Sequence, residues 1–264
     1  RRRAKLPTAA ALEALPQAFF AAREPVDVGT TSMAAIMLCA PDRISEVFRL
    51  PVNCEHRDRG SNGKDVYALR WWPSKGADPM LKWVVNSMVE VCEEAVRRLR
   101  EQTEEARRIA RWYEENPGKL YLPKGLENLR GQEFLSGKEV AEIIGFAKGS
   151  SGACVWANSK GIKPALGTAR VGYSFRFRDI EAAVGAMLPS DWPVCDSKVG
   201  LRYSEALIVV PYNFFHQTRG AWRCMIEKVS INMFNDQVGS SVQHGKSSVF
   251  SRMGFTEPDG SPIR

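Results

Sequence analysis

The sequence has no CxxC pair: Cys39, Cys54, Cys92, Cys154, Cys195 and Cys224 are scattered along the chain. That spacing excludes a zinc ribbon and a disulfide framework, and it fits a reducing compartment. Cys54 and His56 are close neighbours, yet two lone ligands leave a tetrahedral metal site half empty. No apolar run is long enough to span a bilayer, and the start lacks a signal-peptide core. The expected location is cytoplasmic, with no membrane partner. There is also no internal repeat and no low-complexity tract, which excludes a repeat architecture.

With 264 residues, 44% of them hydrophobic and 25% charged, the chain has room for one large domain or two modest ones. Thirty-seven Lys and Arg against 30 Asp and Glu give a net charge of +7, which favours nucleic acid as a partner. The chain opens on RRRAKLPT and closes on DGSPIR, ends that read as those of an excised piece.

Hydrophobic spacing predicts a first helix capped by Thr8, with Leu12, Leu15 and Phe19 on its buried stripe. A second, apolar helix over TTSMAAIMLCA stops at Pro41. In CAPDRISEVFRL, Asp42 is placed to cap a short helix on which Arg43 and Glu46 share a face. VYALRWW and MLKWVV predict two strands around a PSKG turn, which sets Lys75 at a hairpin tip. One long amphipathic helix is expected from about Asn86 to Asn116, its surface laced with Glu–Arg pairs.

NPGKLYLPKGLENLRG breaks that pattern and reads as a boundary. Beyond it come a short helix capped by Ser136, a second helix over SSGACVWANSKG, a basic hairpin and a closing helix. Helix, turn, helix and hairpin outline a winged helix-turn-helix. EALIVVPYNFF then predicts a buried strand, and Asp259-Gly260 the tip of a last hairpin.

The order of Arg43 on a short helix, Lys75 at a hairpin tip and a long helix resembles the catalytic domain of the tyrosine recombinases, or phage-type integrases. PDRISEV is similar to that family's first arginine segment, SKG to its lysine turn, and LPTAAALEAL to its first helix. The resemblance implies DNA strand exchange through a phosphotyrosine link, without metal, nucleotide or other cofactor. It makes Arg43 the clamp on the non-bridging phosphate oxygens, a task that suits a planar, permanently charged fork. Lys75 becomes the general acid for the departing 5′ oxygen, and Glu46 the brace of Arg43. Lys82, within a strand, is the rival lysine and a candidate phosphate contact. Ala40-Pro41-Asp42 departs from the family's glycine-containing approach.

The family completes its site with a His-x-x-Arg box and a later tyrosine. HQTR at 216–219 spells the box, but the last tyrosine of this chain is Tyr212. The string therefore cannot serve as the box here, and the resemblance implies an incomplete site that does not cleave by itself. GFTEPDGSPIR is similar to the segment that leads into the true box.

KEVAEIIG and FRFRDIEAAV resemble a second group, the winged helices of excisionases and mercury-resistance-type regulators. In that likeness Val155 and Trp156 pack inward, and Ser151, Asn158, Lys160, Arg170 and Arg176 are the DNA contacts. Arg178 either reaches phosphates beside them or has Asp179 or Glu181 as an internal ion-pair partner.

The fold class expected is mainly α with small β-hairpins, α+β. The domains are a first part of a recombinase catalytic domain (1–125), an inserted winged helix (126–190) and a truncated continuation (191–264). The expected function is that of a DNA-binding fragment of a site-specific integrase from a bacterial mobile element. Its partners would be double-stranded DNA and, in the full-length protein, further copies on DNA, at the nucleoid. A winged-helix transcriptional regulator and a non-catalytic protein-interaction module are the alternatives from other classes.

Overall fold

Side-chain oxygens at helix starts account for much of the local structure. Thr8 Oγ1 accepts from the Ala11 N–H at 3.1 Å and opens α1 (Ala9–Ala21). Such a cap satisfies a donor that the helix itself leaves orphaned, for about 1 kcal/mol. Ser136 does the same for α6 (Gly137–Ile144): its Oγ accepts from Glu139 N–H, and the Glu139 carboxylate accepts from Ser136 N–H at 2.7 Å. Both caps follow the sequence expectation.

The computed structural model describes residues 7–40, 43–61, 63–73, 78–168, 170–216, 218–239 and 245–263. It is α+β, with small antiparallel sheets. Its chain divides into two units: Arg1–Thr103, Ala206–Ile208 and Val229–Arg264 in one, Glu104–Glu205 and Val209–Lys228 in the other. The sequence reading drew its boundaries near residues 125 and 190.

In the first unit, α2 (Pro25–Cys39) is the buried centre, packed against α1, α4 (Val89–Gln102), α9 (Ile231–Val238) and α10 (Val249–Arg252). Thr30 and Thr31 lie inside it because their hydroxyls donate to the Val26 and Asp27 carbonyls at 2.7 Å. Asp27 is buried as well, and Arg252 meets it with Nε at 2.9 Å, so the carboxylate is paired rather than stranded. The stripe of α1 differs from the expectation. Ala11, Ala14, Ala18 and Phe19 are buried, while Leu12 stays 57% exposed. Leu15 is partly buried against the same cluster and Phe19 is buried as expected, so Leu12 alone of the three leaves the contact face.

After the short helix α3 (Ile44–Val47), three strands pair antiparallel in sequence order: β1 (Glu55–Arg59), β2 (Asp65–Trp71) and β3 (Met80–Val84). The strand β1 has no apolar alternation to announce it, since EHRDR is an edge with mostly solvated side chains. The long helix expected from Asn86 to Asn116 is in fact two, α4 and α5 (Glu104–Glu115). Thr103 interrupts it, its hydroxyl 2.6 Å from the Leu99 carbonyl and 2.9 Å from that of Leu207. A residue more than a hundred positions away supplies the reason for the break.

The second unit contains α5, β4 (Phe134–Ser136), α6, α7 (Gly149–Ser159), β5 (Leu166–Thr168), β6 (Gly172–Arg176) and α8 (Phe177–Gly185). The strands form one antiparallel sheet in the order β4-β6-β5. Two small pairs complete the unit: β7 (Val194–Asp196) with β8 (Leu201–Arg202), and β9 (Val209–Pro211) with β10 (Ile226–Lys228). Leu135, Val140, Ile144, Phe175 and Ile180 share one core with Ile109 of α5 and Ile226 of β10. Each such fully buried side chain contributes about 1.5–3 kcal/mol. The strand expected in EALIVVPYNFF is thus only three residues of ladder. The last hairpin is present, with Thr256 bridged to Pro262 and Gly260 at φ +80°.

Candidate nucleic-acid interface

The sequence-predicted residues fall in both units. Arg43 precedes α3 at its N-cap position, and its backbone N–H donates to Glu46 Oε2 at 3.2 Å. Its guanidinium lies 3.8 Å from Glu46 Oε1 and is 62% exposed, whereas the Glu46 side chain is 9% exposed. The carboxylate thus meets the arginine at both its backbone N–H and its guanidinium. Asp42, expected as the cap, and Lys75, with Ser74 and Gly76 of its turn, lie outside the described residues. Lys82 on β3 sits 4.7 Å from the centre of the Trp71 ring, and burial pulls its ammonium below the usual lysine range.

In the second unit, α6 and α7 meet at a turn and β5–β6 form the hairpin that follows. Ser151, Asn158 and Lys160 are exposed on α7 and just beyond its end, and Arg170 is exposed in the β5–β6 connection. Arg176 is engaged differently. It pairs with Glu133 at 3.1 Å and lies over the Phe134 ring, bracing β6 against β4. Arg178 pairs with Asp179 at 3.6 Å. Val155 corrects the expectation, being 73% exposed while Trp156 is buried. Ala153, Trp156 and Ala157 set the inward face, and at 3.6 residues per turn Val155 falls off it.

The structure also assembles a groove that sequence reasoning missed. About 800 Å³ of space lies between α7 and the 212–222 segment. Trp222 is the hinge of its aromatic wall, with ring centres 5.0 Å from Tyr212, 5.6 Å from Phe146 and 6.0 Å from Trp156. Lys148, Lys160 and Arg219 line it, and among the described residues no carboxylate does. Ser151 lines it as well, so two of the predicted α7 contacts open into this groove, while Asn158 and Arg170 do not.

Two glycines let the groove wall approach the α6–α7 turn. Gly145 closes α6 at φ +94°, and a Cβ there would lie 3.0 Å from the Ala221 carbonyl and from Arg223 Cγ. A Cβ on Gly220 would come to 2.9 Å from the Gly145 carbonyl. Arg223 N–H donates to the Ile144 carbonyl at 2.8 Å, which fixes the segment. His216 Nδ1 accepts from the N–H groups of Thr218 and Arg219 at 3.3 and 3.2 Å, and Arg219 lines the groove. The pairing of an aromatic with Arg-Gly in HQTRGAW was the available signal.

Burial pushes the Cys54, Cys195 and Cys224 thiols up to about 12, so none is poised as a nucleophile at neutral pH. Among the described residues no cluster of three or more His, Cys, Asp or Glu is placed to hold a metal ion, and no helix is long and apolar enough to cross a membrane. No protein-family model matches the chain, and no curated protein matches it.

Proposed function

We propose that this chain is a DNA-binding part of a tyrosine-recombinase-like integrase, with a winged-helix module in its second unit. The observation that carries the DNA reading is the run β4–α6–α7–β5–β6–α8, a helix-turn-helix followed by a hairpin, with polar side chains outward on α7 and Arg170 exposed beyond β5. Asn158 and Ser151 offer donors and acceptors of the kind that read base edges, and Arg170 and Lys160 suit phosphates. Arg176 holds the hairpin's base and acts on DNA only by positioning it.

The recombinase part rests on the sequence resemblance and is supported by the posture of Arg43. A planar, permanently charged guanidinium of this kind suits the non-bridging oxygens of a phosphodiester, and Glu46 lies beside it. Loss of one preorganised donor of this kind costs about 3–4 kcal/mol of barrier where the full site is assembled. Lys75 is proposed as general acid by resemblance alone. Strand cleavage in that family uses a tyrosine that follows the His-x-x-Arg box, and the last tyrosine of this sequence is Tyr212. This chain alone is therefore expected to bind without cleaving.

Anisotropy of a labelled 30-bp duplex across a salt series tests the proposal. Binding is expected to weaken steeply with salt, and Lys160→Ala/Arg170→Ala to weaken it about tenfold. Salt-independent binding, or an unaffected double variant, would instead favour a protein-interaction module. A covalent complex on a suicide substrate overturns the expectation of an incomplete site.

A further inference from the structure

We infer that the groove between α7 and the 212–222 segment takes a single-stranded stretch of nucleic acid, an unpaired base against its rings and the flanking phosphates on its cations. It shares with the reading above a polyanionic partner and the residues Ser151 and Lys160, and it does not depend on duplex binding or on Arg43.

The occupant follows from the lining. Lys148, Lys160 and Arg219 with no carboxylate call for an anion. Phe146 and Tyr212 are only half-buried, so part of each ring is left for a flat apolar group. Val155, 73% exposed on the same wall, extends that apolar surface. A base with its phosphates unites both chemistries on one flexible strand, and rings alternating with cations are how sequence-tolerant single-strand sites work. A base paired inside a duplex keeps its face stacked and cannot offer it to a recessed wall.

The site is also built rather than incidental. Asn213, at φ +65°, holds the start of the outer wall, and its N–H donates to Glu227 Oε1 at 2.7 Å. Trp156, nine-tenths buried on the inner wall, backs the rings of Phe146 and Trp222 at 6.0 Å.

The test uses the whole chain and labelled dT12, followed by anisotropy and by quenching of tryptophan fluorescence. Lys148→Ala/Lys160→Ala/Arg219→Ala is expected to weaken dT12 at least tenfold and to reduce the salt slope by about 2, as three lost phosphate contacts require on a single strand. Lys119→Ala/Lys124→Ala/Lys138→Ala removes the same charge away from the groove and is expected to change affinity less than twofold. Phe146→Leu keeps bulk and loses the ring, for a further loss of about fivefold. Equal weakening by the two triple variants, or none by the first, overturns the inference. So does displacement of dT12 by a Glu/Tyr peptide at equal charge concentration. A chain that binds dT12 but no 30-bp duplex retires the winged-helix reading and leaves this one standing, and the reverse outcome retires only this one.

Discussion

The pair α4 and α5 and the groove beside α7 are both rich in cations, yet the two surfaces are chemically opposite. On the helices arginines find carboxylates: Arg97 reaches Glu94 and Glu101 at 2.7 Å, Arg98 reaches Glu94 at 2.6 Å, and Arg107 reaches Glu104 at 3.1 Å. The i,i+3 and i,i+4 spacing does this automatically on any helix that alternates Glu with Arg. In the groove, Lys148 and Lys160 of the α7 region meet Arg219 from a distant loop, and the lining holds no acid. The excess of seven positive charges is therefore not a uniform property of the surface. Where charge is laced it serves solubility and helix stability, and where it is left unlaced it is available to an anion.

The largest way to break that contrast is to close the groove. Gly145→Val forces a branched side chain into a left-handed backbone at φ +94° and against the Ala221 carbonyl. A cost of about 3 kcal/mol is expected from the two effects together, read from urea unfolding. Binding of dT12 is expected to fall with it, because the 220–223 segment can no longer rest on the turn. A variant as stable as the parent would mean that the wall is not held by this approach.

A middle effect separates two neighbouring arginines of α4. Arg98 is 16% exposed, lies 4.5 Å from the centre of the Phe19 ring and donates to the Phe19 carbonyl. Arg97 is 52% exposed and touches only carboxylates. Arg98→Ala is expected to cost about 1.5 kcal/mol through lost packing, cation–π contact and an orphaned carbonyl. Arg97→Ala is expected to cost less than about 0.5 kcal/mol. Thermal denaturation of the two variants side by side decides it, and equal losses would make the lacing itself the stabilising element.

The features legible in the sequence are those decided within a few residues. Thr8 and Ser136 declare their helices because a cap bonds three residues ahead. The Asp259-Gly260 turn declares itself through a glycine at φ +80°. The features that escaped are decided by distant partners. Thr103 breaks a helix toward Leu207, and Leu12 stays exposed where Ala11, Ala14 and Ala18 are buried against other elements. The groove unites residues 146–160 with 212–222, so no window of sequence contains it. For the candidate site, Arg43–Glu46 was legible from spacing, and so was the exposure of Ser151, Asn158, Lys160 and Arg170. The Arg176–Glu133 pair was not, because its two partners meet across the β4–β6 ladder.

The smallest effect tests the lacing by pH. Hydrogen bonds from Arg97, and then from Arg98, hold the Glu94 carboxyl down at about 2 against the opposing effect of burial. A carboxyl depressed on folding stabilises fully above its unfolded value near 4.5 and loses that contribution as pH falls through about 2. At neutral pH Glu94→Gln is therefore expected to cost less than 1 kcal/mol, since the group is partly exposed and screened. The difference from the parent is expected to be constant from pH 7 to 5, to shrink between about 4.5 and 2, and to vanish below. A difference that already closed between pH 7 and 5 would require a group other than this carboxylate, and the ion-pair account of the α4 surface would fail with it.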